Sequence, residues 1–317
     1  MAMILVTLPD GSVNEYAAGI TAGEIVTDIE GRKHDCVAAL IDSVEFDLST
    51  VINQNCSVIP ISTSTDEGMY ILRHSAAHLL AQAVTSLYPQ AKPTIGPAID
   101  RGFYYDFAEL EGFSESDLKS VQKKMHEISR RNYSVERVEC SEAELLDLFA
   151  SNPYKIEIIK DKLEAGDGST IYRQGDWYDL CLGPHVPSTA KLMHIRLTSV
   201  SPAFWRGDQD REQLTRIYGI VEPTKHDLKA TMSAIEEAKK RDHRKLGKDL
   251  QLFHVDEEVG QGLILWTPRG AILRTSLQNF ISEHLSRQGY SQVFTPHIGK
   301  LDLYRKSGHF PYYQDSQ

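Results

Sequence analysis

The sequence lacks the features that would assign it to several specialised protein classes. Four cysteines among 317 residues are too few for a disulfide scaffold, so we expect a reducing, cytoplasmic environment. No apolar run approaches the roughly 20 residues that cross a bilayer, and Met1–Asp10 lacks the basic region of a signal peptide. No glycine spacing matches a phosphate-binding loop. We therefore expect a soluble globular protein with no membrane partner.

Basic residues are also scarce overall, but they are unevenly placed. The chain has 34 lysines and arginines against 44 acidic residues, a net charge of −10, which by itself disfavours binding to nucleic acid. Residues 1–62 hold nine acidic and two basic residues, whereas Lys225–Lys248 holds eight basic and four acidic ones. The basic stretch indicates either a solvated helix face or contact with a phosphate backbone.

The length and the residue patterns predict an α+β, multidomain protein. Residues 1–62 combine short β-branched strands with a helix capped by Thr21. The patterns of residues 69–224 predict a larger mixed domain, with a helix at Tyr70–Ser86 and an alternating strand pattern at Gly102–Phe107.

The last part of the chain has a different pattern. Residues 225–250 predict one long polar helix, of the kind that bridges domains. A new pattern follows from Leu252, with a helix predicted at Ala271–Gln288 and a turn plus strand at Gly289–Pro296.

Two pairs of metal-ligating side chains carry the most specific chemistry. His74 and His78 lie four residues apart on a predicted helix, so their side chains leave the same face. Cys181 and His185 are also four apart, but Gly183-Pro184 between them requires a loop. Two such pairs resemble a tetrahedral zinc set.

Lys155 and Asp179 are of the types that position a water and polarise a carbonyl. Three chemistries stay open from the residues alone. A zinc ion would lower the pKa of bound water, or a histidine would orient water while Lys155 stabilises an oxyanion, or Cys181 would act as a thiolate nucleophile.

Six segments carry a more specific resemblance, and they occur in order along the whole chain. They are His74–Leu80, Gly96–Phe107, Cys181–Pro187, Trp205–Asp208, Arg216–Gly219 and Ala238–Gly247. Together they resemble the bacterial threonyl-tRNA synthetase family.

The resemblance implies a domain plan. Residues 1–62 would be a TGS domain with the β-grasp fold, and residues 63–224 an editing domain that hydrolyses serine mischarged onto threonine tRNA. Residues 225–250 would be a linker helix near the tRNA acceptor arm. Residues 251–317 would be the start of a class II antiparallel-sheet catalytic domain, in which Gly289–Pro296 is motif 1, and would expose apolar surface in isolation.

The resemblance also implies roles for individual residues. The catalytic set would be His74, His78, Cys181, His185, Lys155 and Asp179. Tyr105 and Gly96 would line the substrate-binding pocket. The residues that contact tRNA would be Lys239, Lys240, Arg241, Arg244 and Lys245. No metal is expected at the editing site, although related alanyl editing domains hold zinc with a similar set. Leu182 departs from the family, which commonly carries arginine after the cysteine.

For the complete enzyme the resemblance implies ATP-dependent charging of tRNA(Thr) with threonine, a homodimer, and ATP, Mg and a catalytic Zn as cofactors. Since motifs 2 and 3 would lie beyond Gln317, we expect that this chain alone does not make threonyl-tRNA. Its implied partners are tRNA(Thr) and the threonine and serine esters. Two alternatives are a non-catalytic RNA-binding or regulatory module and a zinc-dependent hydrolase of a small ester or amide.

Overall fold

The computed structural model describes residues 2–165, 170–260 and 262–312. The chain divides into two compact units, Met1–Ser233 and Ala234–Gln317. In the part of the chain that the structure describes, no helix combines the length and the apolar character needed to span a membrane.

The first domain packs a mixed sheet against a helix. Its elements are β1 (Met3–Thr7), β2 (Val13–Ala17), β3 (Ile20–Thr21), α1 (Ala22–Glu30), β4 (Cys36–Ile41), β5 (Val44–Asp47), β6 (Val51–Ile52) and β7 (Cys56–Ser62). The main sheet has the order β2-β1-β7-β4-β5, with β1 and β7 parallel. The predicted cap, Thr21, accepts a hydrogen bond from the Glu24 amide, and Ile25 and Val26 of α1 are buried in the domain core. This arrangement confirms the predicted α+β module.

The second domain contains two sheets and four helices in its described residues. Its elements are α2 (Asp66–Leu87), β8 (Lys92–Pro93), β9 (Ala98–Ile99), β10 (Gly102–Ala108), α3 (Leu118–Arg131), β11 (Val135–Glu139), α4 (Glu142–Leu148), α5 (Pro153–Ala165), β12 (Thr170–Gln174), β13 (Trp177–Leu180), β14 (Ile195–Phe204) and β15 (Gln213–Val221). One sheet has the order β14-β15-β10-β8, with β9 also paired to β10, and the other has the order β11-β12-β13.

Helix α2 is the central element of this unit. It begins after Thr65, whose hydroxyl accepts a hydrogen bond from the Gly68 amide, and most of its residues from Ile71 to Val84 are buried. Its apolar side chains share one core with Val37 and Ala38 of β4 in the first domain. Because α2 is enclosed by both domains, polar side chains that point from it are held in fixed positions. The predicted helix and the strand over β10 are confirmed.

The polar segment after residue 224 differs from the prediction of one long helix. The structure has α6 (Lys225–Lys240) and α7 (His243–Asp249), separated at Asp242. The Asp242 backbone is not helical, and its carboxylate accepts a hydrogen bond of 2.8 Å from the Arg244 amide. The expectation of a single helix was therefore wrong, because this aspartate caps a second one.

The remaining elements are β16 (Phe253–Val255), β17 (Ile264–Trp266), α8 (Pro268–Arg287) and α9 (Leu301–Lys306). β16 and β17 form an antiparallel hairpin, and α8 confirms the predicted helix, starting three residues earlier after the cap Thr267.

The strand predicted at Gly289–Pro296 is absent, so that expectation was wrong. A strand needs a neighbour for its backbone hydrogen bonds, and within residues 262–312 no segment pairs with this one. Apolar side chains stand exposed here, with Val293 at 76% and Phe294 at 89%. Ile272 and Phe280 on α8 are exposed as well, as expected for this part of the chain.

Candidate active site

The two predicted pairs of side chains meet at one point in the second domain. Helix α2 supplies His74 and His78, and the loop after β13 supplies Cys181 and His185. The Cys181 Sγ lies 3.0 Å from Nε2 of His74 and 3.2 Å from Nε2 of His185. One ligand atom from each of the four residues lies within 4.8 Å of the others. The helical spacing and the loop inferred from the sequence thus converge on one cluster, which we call the His–Cys cluster.

Burial determines the protonation of the His–Cys cluster. It lowers the pKa of His74 to about 4 and the pKa values of His78 and His185 well below their ordinary range. The three imidazoles are therefore neutral at pH 7. Burial also raises the pKa of Cys181 to about 12, so without a metal its side chain is a thiol. Because only the thiolate is a good nucleophile, a covalent role for Cys181 loses support.

A buried ion pair adjoins the His–Cys cluster. Lys155 on α5 places its Nζ 2.5 Å from Oδ1 of Asp179, and both residues are almost fully buried. The Tyr105 hydroxyl on β10 donates to Oδ2 of Asp179 at 2.5 Å and accepts from the Lys155 Nζ at 3.1 Å. The same Oδ2 lies 3.9 Å from Nδ1 of His78. We call Lys155, Asp179 and Tyr105 the Lys–Asp–Tyr triad.

The sequence patterns indicated Lys155 and Asp179 as functional residues but did not predict the helix that carries Lys155. Helix α5 begins at Pro153, and the Asn152 side chain accepts a hydrogen bond of 3.3 Å from the Lys155 amide. Asparagine before proline is a typical start of a helix, so this pair was the pattern that could have revealed α5. The bond from the Tyr105 hydroxyl to Asp179 had no counterpart in the sequence patterns.

The His–Cys cluster and the Lys–Asp–Tyr triad open onto one cavity of about 450 Å³. Its lining includes His74, His78, Lys155, Asp179, Cys181 and Tyr105. Gly96 also lines it, and a Cβ on Gly96 would lie 2.1 Å from Cδ2 of Tyr105, so the two predicted substrate-pocket residues pack directly together. Leu182 lines the cavity as well and is 45% exposed.

The His–Cys cluster has the donor set of a zinc site. Three imidazole nitrogens and one sulfur are ligand types that zinc prefers in tetrahedral sites. Nδ1 of His185 is engaged by the Ser75 hydroxyl at 3.0 Å, which leaves its Nε2 toward the cluster, as in sites with an oriented ligand histidine. The residues present therefore fit a metal ion as well as a network of sulfur–imidazole hydrogen bonds.

The basic residues predicted to contact tRNA lie in the second compact unit, at the end of α6 and on α7. Carboxylates already engage three of them: Lys240 and Arg241 pair with Glu237, and Arg244 pairs with Asp242. All five predicted side chains, Lys239 and Lys245 included, are exposed.

Comparisons with known proteins find two domain families and a group of similar ligases. Residues 4–59 match the TGS domain, and residues 169–218 match the threonyl and alanyl tRNA synthetase second additional domain. The chain is 44% identical over 322 residues to the threonine–tRNA ligase of Pelodictyon phaeoclathratiforme and 46% identical over 319 residues to that of Chlorobium chlorochromatii. The chain matches the amino-terminal part of threonine–tRNA ligases. These alignments cover 100% and 99% of this chain but 49% and 48% of the two ligases, so it spans about half the length of the curated relatives it matches.

The match to threonine–tRNA ligases agrees with the position of the site. The region matched to the second additional domain contains β12, β13 and the loop with Cys181 and His185. That domain is an editing domain. Cys181, His185 and Asp179 lie within the matched residues 169–218, whereas His74, His78, Tyr105 and Lys155 lie before them in the chain.

Proposed function

We propose that this chain is the editing half of a threonine–tRNA ligase and hydrolyses the ester that joins serine to threonine tRNA. One observation carries the proposal: the His–Cys cluster and the buried lysine of the Lys–Asp–Tyr triad meet at one cavity in a domain of the editing type. Neutral imidazoles beside a buried ammonium are suited to directing water onto an ester carbonyl.

A second, hydrolytic site follows from the small difference between the two amino acids. Serine lacks one methyl group of threonine, and a binding pocket distinguishes such a group by only about 1–3 kcal/mol, or roughly 10–200-fold. A separate site that removes serine adds a second discrimination step. Gly96 and the Tyr105 ring pack directly together at this cavity, and we propose that they form the wall that excludes the threonine methyl group.

Lys155 is the group that would stabilise the reacting carbonyl oxygen. Lys155 lines the cavity, and the charge of its ammonium is compensated by Asp179, which offsets the cost of burying it. As water attacks, negative charge develops on the carbonyl oxygen, and a fixed ammonium stabilises that charge. Asp179 and Tyr105 hold Lys155 in place through the bonds described above. Asp179 has a further lone pair with which to accept a bond from the substrate ammonium.

His74 is the group that would direct the water. It is neutral at pH 7 and lines the cavity beside Cys181. As the water oxygen bonds to the carbonyl carbon, the imidazole accepts the water proton and then donates it to the departing tRNA hydroxyl oxygen. The ester C–O bond breaks, and serine and tRNA are the products. His185 is 2% exposed and is not among the residues that line the cavity. Its Nε2 contacts the Cys181 Sγ, so it supports that side chain.

The complete protein would charge tRNA(Thr) with threonine, using ATP, magnesium and a catalytic zinc site, as a cytoplasmic homodimer. The identity to threonine–tRNA ligases supports this reading. The exposed basic side chains of α6 and α7 would contact the tRNA backbone.

For the editing site we expect no metal. If zinc were bound, His74, His78, Cys181 and His185 would hold it, and it would polarise the ester carbonyl and lower the pKa of a bound water. The alternative of a zinc-dependent hydrolase of small esters or amides requires that ion.

Deacylation of seryl-tRNA(Thr) by two alanine variants tests the proposal. We expect His74→Ala and Cys181→Ala to abolish hydrolysis, because they remove the water-directing imidazole and its sulfur partner. Cys140→Ala and His126→Ala are matched controls, since they change the same residue types elsewhere in the domain. Unchanged hydrolysis in both His74→Ala and Cys181→Ala would sink the assignment.

A further inference from the structure

A buried carboxylate of the first domain reaches the loop of the second domain that runs from Cys181 to His185, which we call the editing loop. Asp47 is the last residue of β5, pairs with Ala38 of β4 in the sheet, and is 6% exposed. Its Oδ1 accepts a hydrogen bond of 2.8 Å from the His185 amide, and its Oδ2 accepts one of 2.6 Å from the Tyr172 hydroxyl. The Asp47 side chain of the first domain thus bonds to two segments of the second domain, β12 and the loop that contains His185.

The two partners of Asp47 are the groups that enclose the editing loop. The Tyr172 ring lies on β12, with its centroid 4.4 Å from that of the His185 ring. The Tyr172 hydroxyl also lies where a side chain at Gly183 would stand, since a Cβ there would approach it to 1.8 Å. The hydroxyl bonded to Asp47 therefore fixes the path of the loop between Cys181 and His185.

Contacts from outside the His–Cys cluster help to hold His185 in position. Asp47 holds its backbone N–H, Ser75 on α2 holds its Nδ1 at 3.0 Å, and Tyr172 packs against its ring. Those contacts place Nε2 of His185 3.2 Å from the Cys181 Sγ. A buried backbone N–H without its acceptor is costly, so without Asp47 the loop would move to find another partner.

We propose that Asp47 is a positioning residue of the editing site, through which the first domain holds His185 and the Cys181 loop in their working geometry. This inference rests on the proposed deacylation activity. It assigns to the first domain a direct part in the hydrolysis that the second domain performs.

The test compares seryl-tRNA(Thr) hydrolysis by the full chain and by Asp47→Ala, under single- and multiple-turnover conditions. We expect kcat to fall about 10- to 100-fold, the range found when an outer-shell or positioning residue is removed. KM should change less than about threefold, because Asp47 does not line the cavity. Asp28→Ala is the matched control, since Asp28 accepts a tyrosine hydrogen bond, from Tyr16, within the first domain alone.

Two further variants separate positioning from folding. Asp47→Asn keeps an oxygen for the His185 amide and an NH₂ group that can donate to the Tyr172 oxygen, so it should restore hydrolysis to within a few-fold of wild type. Tyr172→Phe removes one of the two bonds and should give a smaller loss, confined to kcat. If circular dichroism shows that Asp47→Ala does not fold, the kcat of Tyr172→Phe tests the inference in its place.

Hydrogen exchange gives a readout independent of activity. The His185 amide should exchange at least about tenfold faster in Asp47→Ala than in wild type and at the wild-type rate in Asp28→Ala. If the wild-type chain hydrolyses the substrate and folded Asp47→Ala matches it in kcat and in exchange, the inference is overturned while the proposed function stands. If the wild-type chain itself is inactive, the proposed function fails, and the exchange result alone still decides whether Asp47 holds the loop.

Discussion

Replacing Lys155 by methionine tests the chemistry of the site most severely, because it removes one charge from a buried pair and leaves the packing volume nearly intact. In the wild-type chain the Lys155 Nζ contacts Oδ1 of Asp179 at 2.5 Å and the Tyr105 oxygen at 3.1 Å. After the change Asp179 keeps the bonds from the Leu180 amide and the Tyr105 hydroxyl but loses the opposing positive charge.

Two separate losses follow from Lys155→Met. Removing one partner of a buried ion pair typically lowers the free energy of unfolding by about 3–5 kcal/mol, and the two bonds that Asp179 retains favour the lower end of that range. Removing a donor to a developing oxyanion lowers kcat by about 10²–10³-fold. The stability loss should be largely recovered in the double variant Lys155→Met/Asp179→Asn, which leaves no unpaired charge, whereas the loss of hydrolysis should remain.

Urea unfolding at about pH 7.5 and single-turnover hydrolysis of seryl-tRNA(Thr) measure the two losses. Lys160→Met is the matched control, because Lys160 lies on the same helix and is exposed. It should change neither quantity. If Lys155→Met hydrolyses seryl-tRNA at the wild-type rate, Lys155 does not stabilise the reacting carbonyl. If the double variant regains hydrolysis together with stability, the lysine acts only through folding.

Three further predictions concern pH, metal and tRNA. Because burial lowers the pKa values of the three cluster histidines, that of His74 to about 4, the unfolded chain binds protons that the folded chain does not between about pH 6.5 and 4. The contribution of these histidines to the free energy of unfolding is complete above pH 6.5 and falls as pH decreases, by up to about 1.4 kcal/mol per pH unit for each histidine. Urea titrations that give the same free energy of unfolding at pH 7 and pH 5 would contradict this prediction. Elemental analysis should find far less than one zinc per chain, and EDTA should leave hydrolysis unchanged; stoichiometric zinc with chelator-sensitive activity would instead favour the zinc-dependent hydrolase. Lys239→Ala with Lys245→Ala should reduce the slope of log affinity against log salt by about 0.7–0.9 for each phosphate that is no longer neutralised; filter binding that shows an unchanged slope would rule out backbone contacts by these lysines.

Local patterns were sufficient for much of the fold and for the His–Cys cluster. The i, i+4 spacing of His74 and His78 required only a helix, and the Gly183-Pro184 pair required only a loop. Alternation over Gly102–Phe107 identified β10, which carries Tyr105. These features depend on neighbours within a few residues, which is why sequence periodicity predicts them.

The features that were missed depend on distant partners. The triad joins Tyr105, Lys155 and Asp179 from three separate elements, and Asp47 meets His185 across 138 positions of sequence. No periodicity encodes such contacts. The break at Asp242 was missed because a capping aspartate and a surface aspartate are alike in a polar pattern.

The central claim is tested most directly by comparing two rates, those at which the wild-type chain deacylates seryl-tRNA(Thr) and threonyl-tRNA(Thr). Under single-turnover conditions at about pH 7.5 we predict that the seryl ester is hydrolysed at least about 10-fold faster than the threonyl ester, since the pocket must exclude one methyl group. Equal rates for the two esters, or no hydrolysis of either above the spontaneous rate, would contradict the account.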